Sequence, residues 1–117
     1  MEFTKVTSES FEHKVLGAEV PVLLEFSYKY CSACQEVKEF LKDNIDIEEI
    51  KILEIDISTN QKMAEKYNVD KTPTLLLFSH GKERGRHIGY LDQDELEELL
   101  SQLSIISRIK EIIMELF

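Results

Sequence analysis

The chain predicts an α/β domain: a mixed sheet of about five strands with helices on both faces, in the order β-α-β-α-β-α-β-β-α. Three observations carry that reading. Dense apolar runs over residues 20–26 and 73–78 have the length and composition of strands covered on both sides. Segments with helical spacing fall between the strand-like runs. Such alternation implies parallel strands joined by right-handed crossovers. Finally, His80-Gly81-Lys82 turns the chain between two strand-like runs, which adds an antiparallel hairpin.

Each element has a local reason. Residues 3–6 form a short strand, after which Thr7-Ser8 offers a helix cap. Phe11, Val15 and Leu16 then follow helical spacing up to Gly17, a natural stop. Residues 20–26 make the next strand. A second helix opens at the two cysteines, buries Val37, Phe40 and Leu41, and ends near Asn44. Residues 51–57 alternate, with Ile52 on one parity and Leu53, Ile55 and Ile57 on the other, as a strand requires. Residues 61–68 are a short helix carrying Met63, Ala64 and Tyr67. Residues 73–78 and 86–90 are the hairpin strands. The last helix opens near Asp92 and turns Leu96, Leu99, Leu100 and Leu103 to the core.

The 117 residues are enough for one domain with its own core, and 43% hydrophobic with 32% charged residues is the balance of a globular protein. A net charge of −9, with no basic stripe to collect phosphates, excludes a nucleic-acid partner. The acidity lies in segments such as Asp94-Glu95-Leu96-Glu97-Glu98, which read as solvated helix faces. Met1-Glu2-Phe3-Thr4-Lys5 has no basic-then-apolar leader pattern, and no apolar run reaches membrane-spanning length. The expectation is a cytoplasmic protein with no membrane partner.

The chemistry sits in Cys31-Ser32-Ala33-Cys34, which holds both cysteines of the chain where a strand gives way to a helix. A cysteine at a helix N-terminus faces unpaired backbone N–H groups and the positive end of the helix dipole, and both favour thiolate over thiol. The second cysteine lies one turn on, within reach of a disulfide. Three other readings are weaker. A zinc site needs two more ligands, and His13, His80 and His87 have no finger spacing, so no metal is expected. A purely structural disulfide would close too small a loop to constrain the unfolded chain much. Inert buried cysteines do not suit the polar flanks Lys29, Ser32 and Gln35. The pair reads as a reversible dithiol/disulfide carrier that needs no cofactor.

Over residues 3–103 the chain resembles the thioredoxin family, and three blocks carry the likeness. Leu24-Glu25-Phe26-Ser27-Tyr28-Lys29-Tyr30-Cys31-Ser32-Ala33-Cys34 is similar to the family's V-D-F-W-A-x-W-C-G-P-C. Leu53-Glu54-Ile55-Asp56-Ile57 is followed by Tyr67-Asn68-Val69-Asp70-Lys71-Thr72-Pro73-Thr74. Phe78-Ser79-His80-Gly81 leads to Ile88-Gly89. The resemblance implies a thioredoxin fold and a protein-disulfide reductase acting on disulfide-containing proteins, supplied by a thioredoxin-reductase-type donor. It makes Cys31 the nucleophile and Cys34 the resolving thiol. Thr72-Pro73 becomes the family's cis-proline. An X–Pro bond adopts cis at modest cost, and the Thr72 backbone is then available to an extended substrate. Tyr30, Ser32, Ala33 and Gly89 join Thr72 and Pro73 in the substrate groove.

Glu25 interrupts an otherwise apolar strand. A buried carboxyl without a partner rises in pKa, and such a group can accept the Cys34 proton. The family has Asp there. The alternative is a side chain that points out at the strand end.

The chain departs from the family at several positions. Ser32-Ala33 replaces Gly-Pro, which implies a less reducing couple. No tryptophan is present, and Ser27 and Tyr30 stand at the family's two active-site tryptophans. Threonine replaces the usual isoleucine before the proline. Glu54 stands where many members carry a lysine beside the buried carboxyl, so this strand offers the carboxylate no counter-charge. Residues 1–103 are read as the thioredoxin-like domain and residues 104–117 as an amphipathic helical extension, with Ile105, Ile109, Ile112 and Leu116 in one stripe. That stripe either folds back on its own domain or forms a homodimer or docking interface. The alternatives to the reductase are an adaptor that uses the tail, or a more oxidising oxidase or isomerase.

Overall fold

The computed structural model describes residues 4–45 and 49–103. Ile105, Ile109, Ile112 and Leu116, and with them the expected tail helix, lie outside the described residues. Strands β1 (Thr4–Val6), β2 (Val22–Ser27), β3 (Lys51–Asp56), β4 (Thr74–Ser79) and β5 (Lys82–Ile88) form one five-stranded sheet in the order β1-β3-β2-β4-β5. Helix α1 is Ser32–Asn44, α2 is Gln61–Lys66, and α3 covers 93–103. β1 and β2 both run parallel to β3, whereas β4 runs antiparallel to both β2 and β5. The expected order of elements and the mixed sheet are both present.

The strands sort their side chains by parity. Val22, Leu24 and Phe26 of β2 join Leu53, Ile55, Leu76 and Phe78 in one core layer with Phe11, Val15 and Ala64. Leu23 joins Ile52, Leu75 and Leu77 in the opposite layer, where Val37 and Leu41 of α1 and Leu96 and Leu99 of α3 cover the sheet. Period-two alternation divides each strand between two cores, so a one-residue slip would exchange them. Each fully buried leucine stabilises the fold by ~2 kcal/mol.

Local chemistry moves several boundaries. Strand β2 begins after Pro21, which has no N–H for the ladder but accepts Lys51 N at 3.0 Å through its carbonyl. The first helical segment, Glu12–Leu16, is π-type, with Gly17 N donating to Glu12 O at 2.8 Å. Thr7 and Ser8 do not cap it. Thr7 and Ser10 instead bond reciprocally, while Ser8 N donates to Asn60 Oδ1 at 2.8 Å. The last hairpin strand starts at Lys82, four residues earlier than the expected Arg86, because the loop is only His80-Gly81. Both residues have positive φ, 53° and 75°, the backbone of a tight two-residue hairpin turn. An irregularity between Leu77 and Phe78 then skips Arg84.

Candidate active site

The register gathers three segments at one end of the sheet. Phe26 of β2 lies opposite Thr74 of β4, and Thr74 lies opposite Ile88 of β5. Antiparallel pairing therefore sets the exit of β2, the entry of β4 and the exit of β5 side by side. The loop from β2 carries Tyr28 to Cys31, the segment entering β4 is Thr72-Pro73, and the segment leaving β5 is Gly89-Tyr90.

Cys31 is the N-cap of α1, with extended backbone at φ −98° and ψ 102°. Its sulfur accepts the Cys34 amide at 3.0 Å, where a serine or aspartate oxygen would ordinarily serve. Its own amide donates to Tyr28 O at 3.0 Å, which tightens the turn before the helix. Cys31 and Cys34 are joined as a disulfide, with Cα atoms 5.2 Å apart. The two sulfurs differ in access. Cys31 is half-buried, whereas Cys34 is 1% exposed.

Tyr30 is 75% exposed beside Cys31. Tyr28 is also exposed and meets the Tyr30 ring edge-on at 5.7 Å between centroids, and the Lys29 ammonium lies 4.9 Å over the Tyr30 ring. Ser27, at one tryptophan position, is buried at the end of β2 and offers no aromatic surface. Tyr28 supplies the second ring, a contribution the sequence reading missed although Tyr28-Lys29-Tyr30 is an exposed-aromatic pattern in plain view.

The Thr72–Pro73 bond is cis. Two bonds fix the segment. The buried Thr74 hydroxyl donates to Lys71 O at 2.7 Å, and Gly89 N donates to Pro73 O at 2.8 Å. Thr72 stands just before the β4 ladder, which begins at Thr74. Gly89 has φ +87°, and the space a Cβ would occupy is open. The glycine is therefore demanded by its backbone and not by crowding.

Glu25 is fully buried in the middle of β2. The alternative of a side chain pointing out at the strand end does not hold. Odd parity places it with Leu23 on the α1 side of the sheet. Its cross-strand partners are Glu54 on β3 and Leu75 on β4. Among the described residues neither carboxyl oxygen has a hydrogen-bond partner. Burial pushes the Glu25 pKa from the ordinary 4.5 up to about 8, Lys38 opposes the rise, and Glu54 adds to it.

Lys38 is the residue sequence reasoning did not find. Its ammonium pairs with the Glu54 carboxylate, and both side chains are largely buried. The counter-charge that β3 does not offer comes instead from α1. Lys38 lies one turn after Cys34, and with Val37 and Leu41 nearby it was legible as a helix residue able to reach the sheet. Ser32 and Ala33 occupy the first turn of α1, with Ser32 exposed and Ala33 half-buried. Among the described residues no cluster of His, Cys, Asp and Glu could hold a metal ion, and no helix is long and apolar enough to cross a membrane.

Known proteins resemble this chain in sequence. The family model described as Thioredoxin matches residues 2–102. Thioredoxin of Rickettsia bellii is 30% identical over 100 residues, covering 84% of this chain and 95% of that protein. Thioredoxin of Chlamydia trachomatis is 34% identical over 98 residues, covering 83% and 94%. Thioredoxin C-2 of Corynebacterium nephridii is 31% identical over 98 residues, covering 82% and 91%. With its five-stranded mixed sheet and a Cys31–Cys34 disulfide at the head of α1, the chain belongs to the thioredoxin family and is a thiol–disulfide oxidoreductase of the protein-disulfide reductase type.

Proposed function

We propose that Cys31 attacks, Cys34 resolves and Glu25 takes up the proton that Cys34 sheds. In the reduced protein the Cys31 thiolate attacks a disulfide of a protein substrate. A bond forms between Cys31 and one substrate sulfur, the substrate disulfide breaks, and the other sulfur leaves as thiolate. Glu25 then takes the Cys34 proton, and Cys34 attacks the Cys31 sulfur. The Cys31–Cys34 bond forms, the mixed disulfide breaks, and the second substrate thiolate departs. Two electrons have passed to the substrate, and the proton rests on Glu25. The raised pKa of Glu25 in the disulfide form agrees with that end point.

The substrate lies as an extended segment across Tyr30, Ser32, Ala33, Thr72, Pro73 and Gly89, pairing with the Thr72 backbone as an added strand. A thioredoxin-reductase-type enzyme returns the electrons, with Glu25 giving its proton back to Cys34. The cycle belongs in the cytoplasm, where a reducing poise keeps the dithiol form available.

The observation that carries the order of attack is the unequal access of the two sulfurs, half-buried at Cys31 and 1% exposed at Cys34. A substrate reaches the first and not the second. Trapping tests it. Cys34→Ser, incubated with a disulfide-bonded protein such as insulin, accumulates a mixed disulfide that peptide mapping places at Cys31. Cys31→Ser accumulates none. A mixed disulfide of similar yield at Cys34 in the Cys31→Ser protein would overturn the assignment.

A further inference from the structure

Glu25 and Glu54 face each other in register across β2 and β3, on the side of the sheet that α1 covers. Two carboxyls in that relation repel when both are ionised, and burial removes the water that would screen them. The charged or titratable groups that meet Glu25 there are Glu54 from β3 and Lys38 from α1, whereas β4 presents the apolar Leu75. Cys34, the thiol Glu25 is to serve, is on α1 one turn before Lys38. One ammonium therefore serves two carboxyls: it pairs with Glu54 and acts on Glu25 through its charge. With Glu25 protonated the group is neutral overall, and with Glu25 ionised it carries one excess negative charge.

We propose that Lys38 and Glu54 are positioning residues that set the proton affinity of Glu25 in opposite directions: Lys38 stabilises the Glu25 carboxylate, and Glu54 opposes it both by repulsion and by holding the ammonium to itself. The inference rests on the reading of Glu25 as proton acceptor and accounts for a buried glutamate that is ionised, and so able to accept a proton, before the resolving step. The ion pair keeps the ammonium in place over the sheet face, and its charge lowers the cost of holding Glu25 ionised until the Cys34 proton arrives. A purely structural ion pair predicts something else, namely that losing either partner destabilises the fold and leaves the titration of Glu25 alone.

The opposite signs are the test. The full-length disulfide form is labelled with ¹³C-glutamate, and the Glu25 carboxyl is followed by NMR from pH 5 to 10. Glu54→Gln keeps the size of the side chain and a polar contact to Lys38, and its midpoint falls about one pH unit below wild type. Lys38→Met raises the midpoint by about one unit or more, and Lys38→Arg restores it. Should Lys38→Met fail to fold with Glu54 left unpaired, Glu54→Gln decides the question by itself. A Glu54→Gln midpoint that is unchanged or higher overturns the proposal. The rate at which Cys34 releases product from a mixed disulfide, measured across the same pH range, is a separate readout. If midpoints move oppositely while that rate ignores them, the assignment of Lys38 and Glu54 stands and the acceptor role of Glu25 fails.

Discussion

The amide of Cys34 donates to the sulfur of Cys31 at 3.0 Å, so the residue that would resolve the mixed disulfide also helps hold the sulfur that would form it. The bond belongs to the N-cap of α1, where backbone N–H groups and the helix dipole favour negative charge. The sulfur that receives this support is also the one with access to solvent.

A difference in reactivity follows. In the reduced protein at pH 7, iodoacetamide modifies Cys31 faster than Cys34 by roughly tenfold or more, since thiolate character and exposure act together. Quenched alkylation with peptide mapping measures the two rates, and equal rates would contradict the N-cap argument.

Glu25 makes stability depend on pH. Its pKa is raised from 4.5 to about 8 in the fold, so between those values the folded chain holds a proton that the unfolded chain has lost. Stability then falls as pH rises through this window, and the loss is complete above the folded pKa. Glu25→Met removes the effect at nearly constant volume. In urea unfolding of the disulfide form, the variant gains ~5 kcal/mol over wild type at pH 9, and the gain shrinks below ~1 kcal/mol near pH 5. A gain independent of pH would mean that the carboxyl is not the cause.

Much of this was legible in the sequence, for physical reasons that differ by element. β2 and β4 announce themselves because a central strand buries both faces, and Val22–Phe26 and Leu75–Phe78 have no solvent side to present. Cys31 and Cys34 stood out through their spacing where a strand gives way to a helix, whereas Thr72, Pro73 and Gly89 were legible only through the resemblance to the family. β5 was clipped because it lies at the sheet edge, where Lys82, Glu83 and Arg84 satisfy solvent rather than a core. Lys38 was missed for another reason. Its meaning depends on Glu54, and only the crossover from α1 to β3 makes them neighbours. The π-type turn at Glu12–Leu16 has the same helical spacing as an α-turn, so apolar periodicity does not separate the two.

Gly89 connects backbone strain to the Pro73 segment. Its φ of +87° is open to glycine, and its amide holds Pro73 O at 2.8 Å. Gly89→Ala meets no steric neighbour at the new Cβ, so its cost is the backbone conformation alone, ~1–2 kcal/mol in chemical denaturation. If the alanine variant relieves that strain by shifting the segment, KM for a protein disulfide rises while reduction of a small aromatic disulfide changes little. Unchanged stability would show that the left-handed conformation is not required.

Cys31 and Cys34 form a reversible couple poised for reduction of other disulfides. Equilibrium titration of the pair against glutathione and dithiothreitol buffers tests it most directly, with the two forms separated by alkylation and mass. One two-electron transition is expected between about −270 mV, the value of thioredoxin itself, and about −200 mV, the upward displacement reflecting Ser32-Ala33 in place of Gly-Pro. A potential at about −180 mV or above would mark an oxidant or isomerase, and the absence of any reversible transition would contradict the account outright.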